Sequence, residues 1–245
     1  MNLKAVTITG ADDSTSIIEL VDLAHQFPFV EWGILVSQRL EGSPRFPGRD
    51  WIDRFSTVAF AKKLKVSTHV CGRWVRDMFV GKLNWPDLPE CVHISQRIQI
   101  NTHAEEHVST MGLIDCLRSL SGKQFIFQWD GVNNHLSLGV HAHGLDVAAL
   151  FDTSGGAGIL PDKWPSSRNV PFWCGYAGGL GPQNVVNQVQ KIEALFEEGF
   201  SRPYWIDMER RVRTEDDRAL DMKAVRSVLE STSALLCDQQ VVCND

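Results

Sequence analysis

The sequence predicts a (β/α)8 barrel, one domain over residues 1–245, and three observations carry that expectation. Eight short segments rich in β-branched or aromatic residues recur along the chain. Several of them lead into amphipathic stretches of helical period, which is the pattern of βα units around a parallel sheet. The chain is also about as long as eight such units require. A doubly wound open sheet is the competing architecture. Against it, the first strand runs out into Thr9-Gly10-Ala11-Asp12, which lacks the GxGxxG turn of a dinucleotide-binding sheet.

Taken in order, strands are expected at 3–9, 30–36, 65–71, 97–101, 124–129, 147–152, 172–177 and 204–208. The first helix is expected at 14–26, where Ile17, Ile18, Leu20, Val21 and Ala24 recur at helical spacing. Residues 104–120 behave likewise after the fourth strand. After the seventh, 183–198 repeats the pattern with Val185, Val186, Val189, Ile192 and Leu195, and 220–236 follows the eighth. The fifth and sixth helices are weakly marked, because 135–144 and 161–168 are rich in Gly, Pro and His. The long second loop, 37–48, reads either as a cover for the barrel mouth or as a solvated insertion.

Composition excludes several function classes. Lys plus Arg is 24 and Asp plus Glu is 30, a net charge of −6 without a basic run, so no nucleic-acid partner is expected. No apolar run approaches the roughly 20 residues that span a bilayer, and the first residues lack the apolar stretch of a signal peptide. No membrane partner is expected. The six cysteines form no CxxC pair, which reads as reduced thiols in a cytoplasmic protein.

In such barrels the chemistry sits at the C-terminal ends of the strands and in the loops that follow. That rule selects Thr7, Thr9, Ser37 with the Arg45 loop, His69, Cys71, Gln99, Asn101, Gln128, Asp130, Asp152, Tyr176, Asp207 and Glu209. Two glycine-rich turns stand out: Asp152-Thr153-Ser154-Gly155-Gly156-Ala157-Gly158 and Gly178-Gly179-Leu180-Gly181-Pro182. Glycine lets backbone N–H groups approach an anion closely, and a following helix adds a favourable dipole. Gly155, Gly156, Gly178 and Gly179 are therefore expected to cradle a phosphate.

These turns, with Asn184-Val185 after the second and Ile206-Asp207 before the last helix, resemble those of phosphoribosylanthranilate isomerase. The opening Val6-Thr7-Ile8-Thr9-Gly10 is similar to that family's first strand, and Arg45 falls where the family has a substrate-contacting arginine. The resemblance implies a (β/α)8 barrel and an Amadori rearrangement, an aminoaldose becoming an aminoketose, without metal or cofactor. It implies Asp152 as the general acid. This chain departs from the family at Thr9, which stands for the general-base cysteine, and at Thr7, which stands for a lysine. Glu209-Arg210-Arg211 replaces the Ser-Ser-Gly phosphate turn.

His69 titrates near neutrality and is a candidate replacement base. Asp207 and Glu209 share one strand face, and neighbouring carboxylates push one pKa upward, as acid–base work requires. Arg210 or Arg211 is expected beside the anion, with Glu209 directed away from it. His103-Ala104-Glu105-Glu106-His107 has HxxEH zinc spacing, and His141 and His143 form a second pair, but both read more simply as non-ligands. Trp164 is read as core packing or pocket lining.

The sequence thus predicts a cofactor-independent, metal-independent isomerase acting on a small, anionic, sugar-derived metabolite. Asp152, His69 and Glu209 are the candidate catalytic residues, and Thr9, Arg45, Asp207, Arg210 and Arg211 the substrate-binding ones. A lyase or aldolase on a related sugar phosphate, a non-catalytic metabolite-binding barrel, and a homodimer are left open.

Overall fold

The computed structural model describes every residue except 84, 103–109, 121, 197–199 and 243–245, with the side chains of 85 and 238–242 also outside the description. The HxxEH segment lies outside the described residues. Eight parallel strands close in sequence order into a barrel: β1 (Leu3–Thr9), β2 (Val30–Val36), β3 (Val66–Cys71), β4 (Arg97–Asn101), β5 (Gln124–Gln128), β6 (Asp146–Phe151), β7 (Trp173–Ala177) and β8 (Tyr204–Met208). β1 pairs with both β2 and β8, so no sheet edge is left open.

Helices α1 (Ile17–Gln26), α2 (Arg49–Lys62), α3 (Arg73–Phe79), α4 (Glu90–Ile94), α5 (Thr110–Arg118), α6 (Asn134–Ala142), α7 (Val185–Glu193) and α8 (Met222–Val242) surround it. α1 starts later than its apolar pattern suggests, because the Ser16 hydroxyl accepts the Glu19 N–H at 3.4 Å and caps it. The weakly marked fifth helix does form. Asp130 accepts the backbone N–H and the Nδ2 of Asn133, both at 2.8 Å, which fixes the turn into α6.

The other weak segment does not become a helix. α3 and α4 both lie between β3 and β4, while the crossover from β6 to β7 holds none. Pro161 and Pro165 remove backbone donors there and resist helical pairing. Trp164 instead fills the space a helix would cover. It is buried, its indole N–H donates to Gln188 Oε1 at 3.0 Å, and it meets Tyr176 edge-on at 5.7 Å. Both Trp164 and Tyr176 therefore belong to the packing outside the sheet.

Alternation along the strands divides the interior in two. One set of side chains packs between strands and helices; the other points into the barrel. The inward set has an apolar cluster of Ala5, Ile126, Ala148, Leu150 and Trp205. It also carries a polar chain. Arg97 is buried, stacks at 4.1 Å over Trp205 and 4.7 Å over Trp173, and ion-pairs with Glu31 at 3.1 Å. Glu31 accepts the Thr7 hydroxyl at 2.8 Å. A Cβ at Gly33 would collide with the Thr9 hydroxyl, so glycine at that point of β2 is what lets Thr9 lie inside. Among the described residues, no helix is long and apolar enough to cross a membrane.

Candidate active site

The C-terminal ends of the strands surround a cavity of about 240 Å³. The fold brings many of the sequence-selected residues to it, Gln99, Asn101 and Gln128 among them, but not Thr7, Ser37, Cys71, Asp130 or Tyr176. Thr9, His69, Asp152, Asp207, Glu209, Arg210 and Arg211 line the cavity, as do Gly155, Gly156, Gly178 and Gly179. Arg45 does not.

Asp207 is the buried carboxyl of this site. Its Oδ1 accepts the Thr9 hydroxyl at 3.0 Å, and its Oδ2 lies 3.8 Å from His69 Nε2. Burial pushes the Asp207 carboxyl up to about 8, with the Glu31 and Glu209 carboxylates adding to the rise. The Thr9 hydrogen bond and the Arg97 charge oppose it. Burial and the Arg97 charge drive His69 the other way, down to about 3, so its imidazole is neutral at pH 7. Cys71 accepts the Asn101 amide N–H at 3.1 Å, and burial lifts its thiol to about 11. It is therefore not a thiolate at neutrality. The result is a carboxyl that holds its proton near physiological pH beside a neutral imidazole.

The two glycine-rich turns differ sharply. After β6, Asp152 accepts the Ser154 N–H at 3.1 Å, the Ser154 hydroxyl at 2.7 Å and the Gly156 N–H at 2.7 Å. Gly155 donates to the Asp152 carbonyl, Ala157 to the Ser154 carbonyl, and Gly158 to the Ser154 hydroxyl. That turn uses its donors on itself. After β7, no partner among the described residues takes the N–H of Gly178 or Gly179. Asn184 braces this turn from outside, donating to the Gly179 carbonyl at 2.8 Å and accepting the Gly181 N–H at 3.0 Å.

Charges divide the same way. Arg210 and Arg211 are exposed at the cavity, and neither guanidinium has an ion pair or hydrogen bond among the described residues. Arg45, by contrast, pairs with Glu209 at 3.0 Å and with Asp217. Arg213 pairs with the same Asp217 at 2.7 Å and with Asp12 at 2.9 Å, and donates to the Gly10 carbonyl. Asp12 in turn accepts the Arg45 N–H at 3.1 Å. This network ties the loops after β1, β2 and β8 together and fixes the 37–48 segment by one arginine. Burial lifts Glu209 above the ordinary carboxylate range even though Arg45 and Arg213 oppose it.

Sequence reading did not single out Glu31 and Arg97, which act on Asp207 from below. Their signal was present: alternation points both inward from otherwise apolar strands. Of the two histidines near α6, His141 packs edge-on against Phe172 at 5.1 Å, and His143 Nδ1 meets the Gly139 carbonyl at 2.8 Å.

No protein-family model matches the sequence, and no curated protein matches it. Solved structures do match in fold. Phosphoribosyl anthranilate isomerase from Thermus thermophilus superposes with a TM-score of 0.59 at 12% identity, over 94% of this chain and 99% of that one. The dimeric phosphoribosylanthranilate isomerase of Thermotoga maritima, solved as generated monomers, gives 0.56 at 12% identity, over 94% and 98%. Phospho-2-dehydro-3-deoxyheptonate aldolase from Thermotoga maritima gives 0.58 at 13% identity, over 97% and 70%. The likeness is one of fold: this chain is a closed (β/α)8 barrel, similar in architecture to these isomerases and to the aldolase.

Proposed function

We propose that this protein is a cofactor-independent isomerase that moves a proton within a small, anionic, sugar-derived metabolite. The observation that carries the reading is Asp207, a buried carboxyl titrating near 8 in a cavity whose rim holds unpaired cations and backbone donors. A proton carrier works best when its pKa lies near the working pH. The anion sits at Gly178 and Gly179 with Arg210 and Arg211 around it, and the rest of the ligand reaches toward Asp207. The ionised fraction of Asp207 takes a proton from the hydroxyl-bearing carbon next to a carbonyl, the hydroxyl proton passes to the old carbonyl oxygen through the enediol, and the acid form of Asp207 returns its proton to the old carbonyl carbon. His69, kept neutral, stands beside the same carboxyl without competing for its proton. Glu209, held by Arg45, raises the proton affinity of Asp207. Asp152 shapes the β6 turn.

Among the described residues the cavity has no lysine to form a Schiff base, so an aldolase of that kind is disfavoured. A non-catalytic metabolite-binding barrel is the second reading, favoured by the full occupation of Asp152 and by threonine at position 9.

Incubating the protein with aldose and ketose phosphates in D2O, and following deuterium entry at the carbons beside the carbonyl by NMR, tests the proposal. Asp207→Asn is expected to slow exchange by roughly 10²–10⁴-fold while inorganic phosphate still protects the variant against heat. Phosphate protection of the wild type without exchange on any sugar phosphate favours the binding barrel.

A further inference from the structure

We propose that the ligand's end remote from the anion is an uncharged, hydroxylated chain, read by the carboxamide of Gln128. The inference rests on the anion site of the preceding section and adds what the other side of the cavity selects. That side is formed by β3, β4 and β5, through His69, Gln99, Asn101 and Gln128. Two of its three amides donate to neighbours, although the buried Gln99 Oε1 has no partner among the described residues. Gln99 donates to Asn101 Oδ1 at 2.6 Å, and Asn101 donates to Cys71 Sγ at 3.1 Å.

Gln128 is different. It is only 9% exposed, lines the cavity, and has no hydrogen bond among the described residues. Its amide opens onto the cavity, so a ligand that displaces water there must both donate to it and accept from it. A hydroxyl does both. A carboxylate only accepts, an ammonium only donates, and an alkyl or aryl group does neither. Among the described residues this wall carries no positive side chain to balance a second anion, and His69 is neutral. The Glu209 carboxylate lines the same cavity and repels one as well.

Calorimetric titration of the wild-type protein with inorganic phosphate, butyl phosphate, ribitol 5-phosphate and 5-phosphoribonate tests this. Ribitol 5-phosphate is expected to bind roughly tenfold tighter than butyl phosphate, the gain of one or two satisfied hydrogen bonds, and tighter than 5-phosphoribonate. Gln128→Leu, or Gln128→Met should the first fold poorly, should erase the gap between ribitol 5-phosphate and butyl phosphate while inorganic phosphate binds as before. Equal binding of butyl and ribitol phosphates to the wild type overturns the inference and leaves the anion site standing. A ribitol advantage that survives in the Gln128 variants overturns the role of that residue. Failure of all four to bind overturns the anion site and this inference together.

Discussion

The turns after β6 and β7 look alike in sequence and differ in what they have left to give. Both are glycine-rich, both follow a strand at the same end of the barrel, and both line the cavity. The β6 turn folds around its own carboxylate: Asp152 and Ser154 absorb the N–H groups that glycine would otherwise present. The β7 turn is braced from behind by Asn184, and among the described residues nothing takes the Gly178 and Gly179 N–H groups. Composition alone does not distinguish a cradle from a tight turn. The accounting of where each backbone donor goes does. The same accounting separates Arg45, paired with Glu209 and Asp217, from Arg210 and Arg211, which have no partner among the described residues.

The comparison breaks most visibly if the free rim is removed. Arg210→Ala combined with Arg211→Ala is expected to weaken inorganic phosphate binding by about a hundredfold, since each charged hydrogen bond contributes roughly 1.5–3 kcal/mol. Because both side chains are exposed, the urea midpoint should barely move. A double variant that keeps its phosphate affinity would place the anion elsewhere.

Asp152→Ala probes the self-satisfied turn and should behave oppositely. Losing three hydrogen bonds to one carboxylate in a half-exposed loop should lower stability by about 2 kcal/mol, with phosphate affinity little changed. Chemical denaturation and phosphate titration of the same variant check both halves. Retained stability together with lost proton transfer would return Asp152 to the role of general acid.

A pH-dependent effect reports on the cavity floor. The Asp207 pKa of about 8 lies above that of an unfolded aspartate, near 3.9. Its contribution to stability is therefore complete below about pH 4 and is lost as pH rises through about 8. Stability of the wild type relative to Asp207→Asn should fall steadily between pH 5 and pH 8 in urea titrations. A flat difference would mean that Asp207 ionises like a surface carboxylate.

Much of this was legible in the residues. All eight strands fall within a residue or two of their β-branched segments, and alternation places Asp207, His69 and Thr9 inside correctly. The helix-free crossover after β6 was less legible. Asn134–Ala142 and 161–168 look equally poor as helices, and only tertiary anchoring tells them apart: the Asp130–Asn133 cap in one, the insertion of Trp164 in the other. The pairing of Glu31 with Arg97 spans β2 and β4, strands that share no ladder, and is visible only once the barrel closes. Arg45 was read as a ligand contact because it falls where the resembled family has a substrate-contacting arginine. Its capture depends on Asp217, distant in sequence and brought near by the segment after β8.

The most direct test of the account is a crystal structure with inorganic phosphate or sulfate soaked at millimolar concentration. The account predicts one anion within hydrogen-bond distance of the Gly178 and Gly179 N–H groups, with the Arg210 or Arg211 guanidinium turned onto it and the β6 turn unchanged. An anion seated instead on Gly155 and Gly156, with the Asp152 hydrogen bonds broken to receive it, would contradict it.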